Sequence, residues 1–287
     1  MSMGTRAAGG RGLRRARSRR SRWAAAAAGC LAAAAIAAGG CGWSGPRADH
    51  PFERTLELDA DGSSSIAVRT RNGRVSVARA PGRETMLIAL TGRATTAERA
   101  AAAAIDVRAD GAGVLSITCG WPGGWESSEQ ARFEVLAPEL SSATVETSNG
   151  SVRVDGVAGP VDVRTSNGRV TVLDQRGPTR VRTSNGRIRA DLVGPDARPF
   201  DLESSNGAIE VRLPDGFAGW LDAETSNGSI SFAEASRALT TSSLSISDGR
   251  LRVRIGEPAG DDPLAEASSR VRSSNGRVRI LPPSEED

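Results

Sequence analysis

A tetrapeptide close to Thr-Ser-Asn-Gly is written eight times in this chain, and that repetition limits the available folds more than any other feature. Clean copies occupy residues 147–150, 165–168, 183–186 and 225–228, with Ser-Ser-Asn-Gly at 204–207 and 273–276. Thr70-Arg71-Asn72-Gly73 and Ile246-Ser247-Asp248-Gly249 are looser copies. From Gly150 to Gly249 the glycines stand 18, 18, 21, 21 and 21 residues apart, a near-fixed period that marks one copied supersecondary unit.

Aligned on the glycine, the second and fourth residues after it are apolar in every copy, as in Val152/Val154, Val170/Val172, Ile188/Ala190 and Val278/Ile280. The fifth residue before it is apolar too: Val68, Val145, Val163, Val181, Leu202, Ala223, Leu244 and Val271. A period of two on both sides of a polar corner predicts strand, turn, strand. Asn149-Gly150, Asn167-Gly168, Asn185-Gly186, Asn206-Gly207, Asn227-Gly228 and Asn275-Gly276 are therefore structural turn residues, with glycine expected to supply a positive φ.

Two architectures satisfy this pattern. Asn-Gly could close antiparallel hairpins in a meander, or it could be the corner of a coil in a stack of parallel coils. The hairpin accounts for Asn-Gly but not for the recurring Ser and Thr/Ser before it. In a stack those positions repeat at about 4.8 Å, so identical small polar residues can form ladders. The expectation is therefore all-β: a parallel β-solenoid (β-helix-like) of about eight short coils, regular over 142–280.

Ahead of the repeats, residues 1–40 hold eight Arg and no acidic residue, then an Ala-rich apolar run that ends in small residues before Cys41. A charged region, an apolar region and a small-residue cleavage site read as a signal peptide. The residues before Cys41 resemble a lipobox, with Ala38 where Leu is usual, so Cys41 is the candidate lipid acceptor and 41–51 a tether. Ser18-Arg19-Arg20-Ser21-Arg22-Trp23 also has twin-arginine features. Loss of the leader would leave 29 of 37 basic residues, all Arg, against 34 acidic ones. The mature chain would then be acidic, so the basic precursor is no argument for nucleic acid. Cys30 lies in the leader and Cys41 at its end, which leaves Cys119 as a lone structural thiol.

Residues 52–141 read as a strand-rich part with one short helix, where Thr95 and Glu98 suggest a capping box before the alanines at 100–104. An acidic tail, expected to be disordered, occupies 281–287. The leader, the strand-rich first third and the repeated V-x-T-S-N-G-x-V/I-x-V coils resemble the bacterial putative-adhesin family of β-strand-repeat domains, whose well-known relative is the head-GIN domain. The resemblance spans about 52–280. It implies a right-handed solenoid in an envelope protein of unassigned biochemical role, and brings no catalytic residues with it.

Catalysis finds little material. His50 is the one histidine and there is no Tyr, so a Ser-His-Asp or Cys-His relay would rest on a residue beside the tether. Asp155, Asp162, Asp174, Asp191 and Asp201 could in principle work in pairs, as in polysaccharide-cleaving β-helices, but they stand at unrelated offsets from their glycines. No cofactor and no metal are expected, since no Cys/His cluster exists.

Arg169, Arg187, Arg250 and Arg277 directly follow their glycines, as Arg74 does, and Arg153, Arg189, Arg252 and Arg279 come two residues later. Such a stripe either binds an anionic polymer or is a solvated face. Trp121 and Trp125, in a Gly/Pro loop, either stack on a carbohydrate or plug an end of the stack. The expected function is a non-catalytic surface or envelope module on a membrane, with a glycan, anionic polymer or envelope protein as partner. A β-helix enzyme or a stress-sensing scaffold is the alternative.

Overall fold

The computed structural model describes residues 48–59, 64–194, 196–232, 241–247, 249–256 and 268–283. The signal-peptide reading, Cys41, most of the tether and residues 284–287 lie outside them. The described residues are all-β with one helix, and their strands form two large, mostly parallel sheets of ten and eleven strands.

Seven of the eight repeats supply one strand to each sheet. Those before the Asn-Gly corner are β2 (Ser64–Arg69), β8 (Leu140–Asn149), β10 (Val161–Asn167), β12 (Thr179–Asn185), β14 (Phe200–Ser204), β16 (Gly219–Thr225) and β20 (Ser268–Ser273), all in the eleven-stranded sheet. Those after it are β3 (Val75–Arg79), β9 (Val152–Asp155), β11 (Val170–Gln175), β13 (Ile188–Leu192), β15 (Ile209–Arg212), β17 (Ile230–Phe232) and β21 (Val278–Leu281), all in the ten-stranded sheet. Copies pair parallel and in register: Val163 faces Val145 and Val181, and Val170 faces Val152 and Ile188. The hairpin alternative fails at these seven corners, because the strands flanking each one belong to different sheets. It holds at the eighth copy, where β18 (Thr241–Ser247) and β19 (Arg250–Ile255) pair antiparallel with Ser247 opposite Arg250. Seven corners are stacked, and the eighth is a hairpin whose strand β19 pairs with β16 at the edge of the eleven-stranded sheet.

Between the sheets lies a core of facing aliphatic columns. Val68, Val145, Val163, Val181, Leu202 and Val271 form one, and Val75, Val152, Val170, Ile188, Ile209 and Val278 the other, none more than 1% exposed. Burying each such side chain contributes about 1.5–3 kcal/mol. At the N-terminal end the regularity gives way to antiparallel pairs. β1 (His50–Asp59), β4 (Thr85–Ala94) and β7 (Gln130–Ala137) extend the ten-stranded sheet, and β5 (Ala104–Ala109) and β6 (Val114–Gly120) extend the other. The helix α1 (Ala97–Ala102) is capped by Thr96, whose hydroxyl accepts from the Arg99 amide, rather than by Thr95. Its last carbonyls are held by the Arg54 guanidinium.

The stack does not follow sequence order. The last coil in the sequence, β20 and β21, sits between the coil of β14 and β15 and the coil of β16 and β17. The insertion separates like charges. Had β16 docked directly on β14 in the same register, Asp201 would face Asp222 and Glu203 would face Glu224. With β20 between them, Arg270 lies opposite both aspartates and Arg272 opposite both glutamates. Like charges directly opposite are destabilising, and opposite ones contribute about 0.2–1 kcal/mol a pair.

Glycine at the corner serves a different purpose from the one the sequence suggests. Gly150, Gly168, Gly186, Gly207, Gly276 and Gly228 do not adopt left-handed φ. Instead each backbone lies so close to the preceding coil that a Cβ would fall within 3.0 Å of that coil's glycine carbonyl oxygen. Gly186→Val should therefore destabilise by at least about 3 kcal/mol as an overpacked site. Asn185→Ala should cost about 0.5–1.5 kcal/mol for its lost hydrogen bonds. Because Gly276 lies inside the stack, Gly276→Val should match Gly186→Val rather than behave as a lesion at an end, which chemical denaturation of the three variants would measure.

Candidate functional site

The repeated corner forms a polar ridge along the stack. Its innermost row is the buried hydroxyl of Thr or Ser. Ser204, Ser273 and Thr225 donate to the glycine carbonyls of Gly186, Gly207 and Gly276 at 3.0, 2.9 and 3.0 Å. Next comes a row of asparagines in which each Nδ2 donates to the Oδ1 of the coil before it. The series runs from Asn149 to Asn72, Asn167 to Asn149, Asn185 to Asn167, Asn206 to Asn185, Asn275 to Asn206 and Asn227 to Asn275, at 2.8–3.0 Å. Asn72 closes the ladder by donating to the Ser127 and Glu129 carbonyls. These amides hold one another, so their first role is in the spine.

On the ten-stranded side, the residue after each glycine forms a second row. In spatial order it reads Arg74, Ser151, Arg169, Arg187, Ala208, Arg277 and Ser229, tied by backbone hydrogen bonds such as Val170 N to Arg187 O at 2.9 Å. Arg132 on β7 extends it, because the Phe133 amide donates to the Arg74 carbonyl. Arg132 escaped the sequence reading because β7 carries no Asn-Gly corner; only strand pairing brings it into line. Arg250 stands elsewhere, on the hairpin, 2.9 Å from Glu224. The arginines two residues further along are neutralised: Arg153 pairs with Asp155 at 2.7 Å, Arg189 with Asp191 at 3.1 Å and Arg279 with Glu210 at 3.5 Å. Arg169, Arg187 and Arg277 are exposed and form no ion pair among the described residues.

The two flanks of the ridge differ in their charge balance. On the eleven-stranded side an open groove of about 560 Å³ runs past Arg69, Glu146, Arg164, Arg182 and Glu203. Its charges compensate one another, with Arg69–Glu146 at 3.0 Å, Arg164–Glu146 at 3.8 Å and Arg182–Glu203 at 3.5 Å. On the ten-stranded side a hollow of about 450 Å³ gathers Arg74, Arg132, Arg153 and Arg169 around Ser151, with Glu134 as its one lining carboxylate.

The five aspartates weighed as catalytic carboxylates each stand within 3.5 Å of an arginine: Arg153, Arg164, Arg176, Arg189 and Arg182 for Asp155, Asp162, Asp174, Asp191 and Asp201. No group of three or more His, Cys, Asp or Glu among the described residues could hold a metal ion.

Trp121 and Trp125 lie at the N-terminal end. Trp121 is 8% exposed and meets Phe52 edge-on at 5.1 Å and Trp125 at 5.6 Å, with Arg99 over its ring. Trp121 belongs to the core and Trp125 packs against it. Arg99 clamps the loop by donating to the Pro122 and Gly124 carbonyls and to both oxygens of buried Glu129. Burial pushes the Glu129 carboxyl up, but hydrogen bonds from Arg99 and from backbone amides outweigh it and hold the group below the ordinary carboxylate range. Burial lifts Cys119 to about 12, so its thiolate is scarce at neutral pH. A lowered folded pKa means that Glu129 stabilises above the unfolded value of about 4.3 and that this contribution is lost as pH falls through the folded value. Glu129→Gln, which strands Arg99, should cost about 3 kcal/mol at neutral pH and abolish this acid-dependent contribution; pH-resolved thermal melts of both proteins check it.

The fold is similar to that of several solved structures. A putative cell adhesion protein from Clostridium sporogenes is 12% identical, with 81% of this chain and 99% of that one covered at a TM-score of 0.46. A putative adhesin from Bacteroides fragilis is 11% identical, with 80% and 97% covered at 0.39. One from Parabacteroides merdae is 8% identical, with 80% and 96% covered at 0.32. No curated protein matches the sequence. Residues 162–282, from β10 to the end of the inserted coil, match the family model of a domain of unknown function, DUF7330.

Proposed function

We propose that this chain is an exported, non-catalytic interaction module of the cell envelope, held at a membrane by lipid on Cys41. On this reading its two-sheet stack is a right-handed β-solenoid that offers the corner ridge to a partner. One observation carries the reading: the ridge repeats the same exposed polar groups coil after coil, while the carboxylates beside it are engaged with arginines. A surface of that kind suits binding of an extended partner by many equivalent contacts. Hydrogen bonds between its amides hold the ridge rigid, which lowers the ordering cost of binding.

Anchoring is tested by fractionation and intact-mass measurement. The native protein should be recovered with membranes and carry diacylglycerol on Cys41, and Cys41→Ala should move to the soluble exported fraction. Equal membrane retention of both forms, or recovery of the unprocessed chain in the cytoplasm, would contradict the proposal.

A further inference from the structure

We infer that the row Arg132, Arg74, Arg169, Arg187 and Arg277 is a binding track for a linear polyanion, an extended chain carrying phosphate or carboxylate groups at short intervals. The inference rests on the interaction-module reading and adds the site and the ligand chemistry. Seven adjacent strands, β7, β3, β9, β11, β13, β15 and β21, carry the row, so its ends are about 29 Å apart at the usual strand spacing. Five of the seven positions are Arg and the other two, Ser151 and Ala208, are small and uncharged.

The arrangement is unfavourable for the empty protein. Arg169 and Arg187 lie on hydrogen-bonded neighbouring strands one residue before the pair Val170 and Ile188, so two cations face each other across one strand spacing. Arg164 and Arg182 also lie opposite each other, but there Glu146 and Asp162 stand beside the first and Asp201 and Glu203 beside the second. Arg153 and Arg189, two residues along the same strands, have Asp155 and Asp191, and an entire coil is inserted so that Arg270 and Arg272 separate acidic neighbours. The row thus lines up arginines that no carboxylate among the described residues pairs with. Acids near the row are Glu134, in the hollow beside Arg74 and Arg132, Glu210, two residues past Ala208 and paired with Arg279, and Glu53, two strands beyond Arg132.

Guanidinium groups bind phosphate and carboxylate in two-pronged fashion, and a straight row of them matches an extended chain better than a compact anion. A membrane surface would favour apolar side chains to insert. Val193 is the one exposed large hydrophobic residue among those described, and it lies after β13, away from the row. A single-stranded nucleic acid would seek aromatic side chains for its bases, and the row contains none.

The test titrates the purified full-length protein with inorganic polyphosphate, polygalacturonate, phosphatidylglycerol vesicles and a single-stranded oligodeoxynucleotide at several salt concentrations. Both linear polyanions should bind. Arg169→Gln/Arg187→Gln/Arg277→Gln should weaken them at least about tenfold and flatten the log affinity against log salt by about 2. Arg153→Gln/Arg189→Gln, which removes only compensated arginines, should leave both quantities unchanged. The triple variant should melt at the same temperature as the native protein or higher, since it relieves repulsion. If it fails to fold, Arg74→Gln and Arg132→Gln serve instead, each flattening the slope by about 0.7. Equal losses in the compensated and uncompensated variants, no loss in either, or tightest binding to vesicles or to the oligonucleotide would overturn the track. Binding of a neutral envelope glycan that survives the triple variant overturns the track but leaves the interaction module standing. A cytoplasmic protein would overturn the module whatever polyphosphate does.

Discussion

The structure depends on how closely successive coils approach at one corner. At six of the seven stacked corners the backbone of one glycine lies against the glycine carbonyl of the coil before it, and Gly73 lies against the Ala131 carbonyl, with no room for a Cβ. That contact lets the asparagine beside it reach the next asparagine at 2.8–3.0 Å and lets Ser204, Ser273 and Thr225 reach a glycine carbonyl. It also keeps the strands on either side in register, so Val stands above Val in both columns of the core. Enlarging the corner would separate the ladder and shear the aliphatic columns together. Function inherits the same constraint, because a straight row of arginines requires a constant rise from coil to coil.

Apolar packing alone does not decide which coil lies on which. Leu202, Val271 and Ala223 fit the same column in any order, and each corner has its own asparagine. Charge discriminates. The coil with Asp201 and Glu203 and the coil with Asp222 and Glu224 accept between them the coil with Arg270 and Arg272, although that coil comes last in the chain. Electrostatics at exposed positions contributes little to stability per pair, yet it can select among arrangements that bury equal apolar surface.

Much of the fold was legible in the sequence, because period-two alternation and a fixed repeat both leave a direct imprint. The parallel stack, the buried columns and the asparagine ladder follow from residues that recur at fixed offsets, and the helix from its capping residues and the alanines after them. Three things did not. The role of glycine was misread because Asn-Gly is a frequent turn signal, whereas here the requirement is space between coils. The order of coils was hidden because adjacency in sequence is the ordinary rule and the exception is written only in charges facing each other across strands. The eighth copy looked like a coil, but its partner strand folds back antiparallel instead. At the candidate site, Arg74, Arg169, Arg187 and Arg277 could be read from the repeat, while Arg132 could not, since it comes from a strand outside it.

Disulfide trapping of coil order tests the central claim most directly. Ser205 and Ser274 precede the ladder residues Asn206 and Asn275, which are hydrogen-bonded neighbours, and Ser226 occupies the same place beside Asn227. Adjacent coils put such positions about 4.8 Å apart, within reach of a disulfide, and coils one removed put them beyond the limit of about 7 Å. With peptide mapping of the oxidised protein, Ser205→Cys/Ser274→Cys and Ser274→Cys/Ser226→Cys should cross-link, and Ser205→Cys/Ser226→Cys should not. Efficient cross-linking of the last pair, with failure of the first two, would mean that the coils stack in sequence order and that charge does not arrange them.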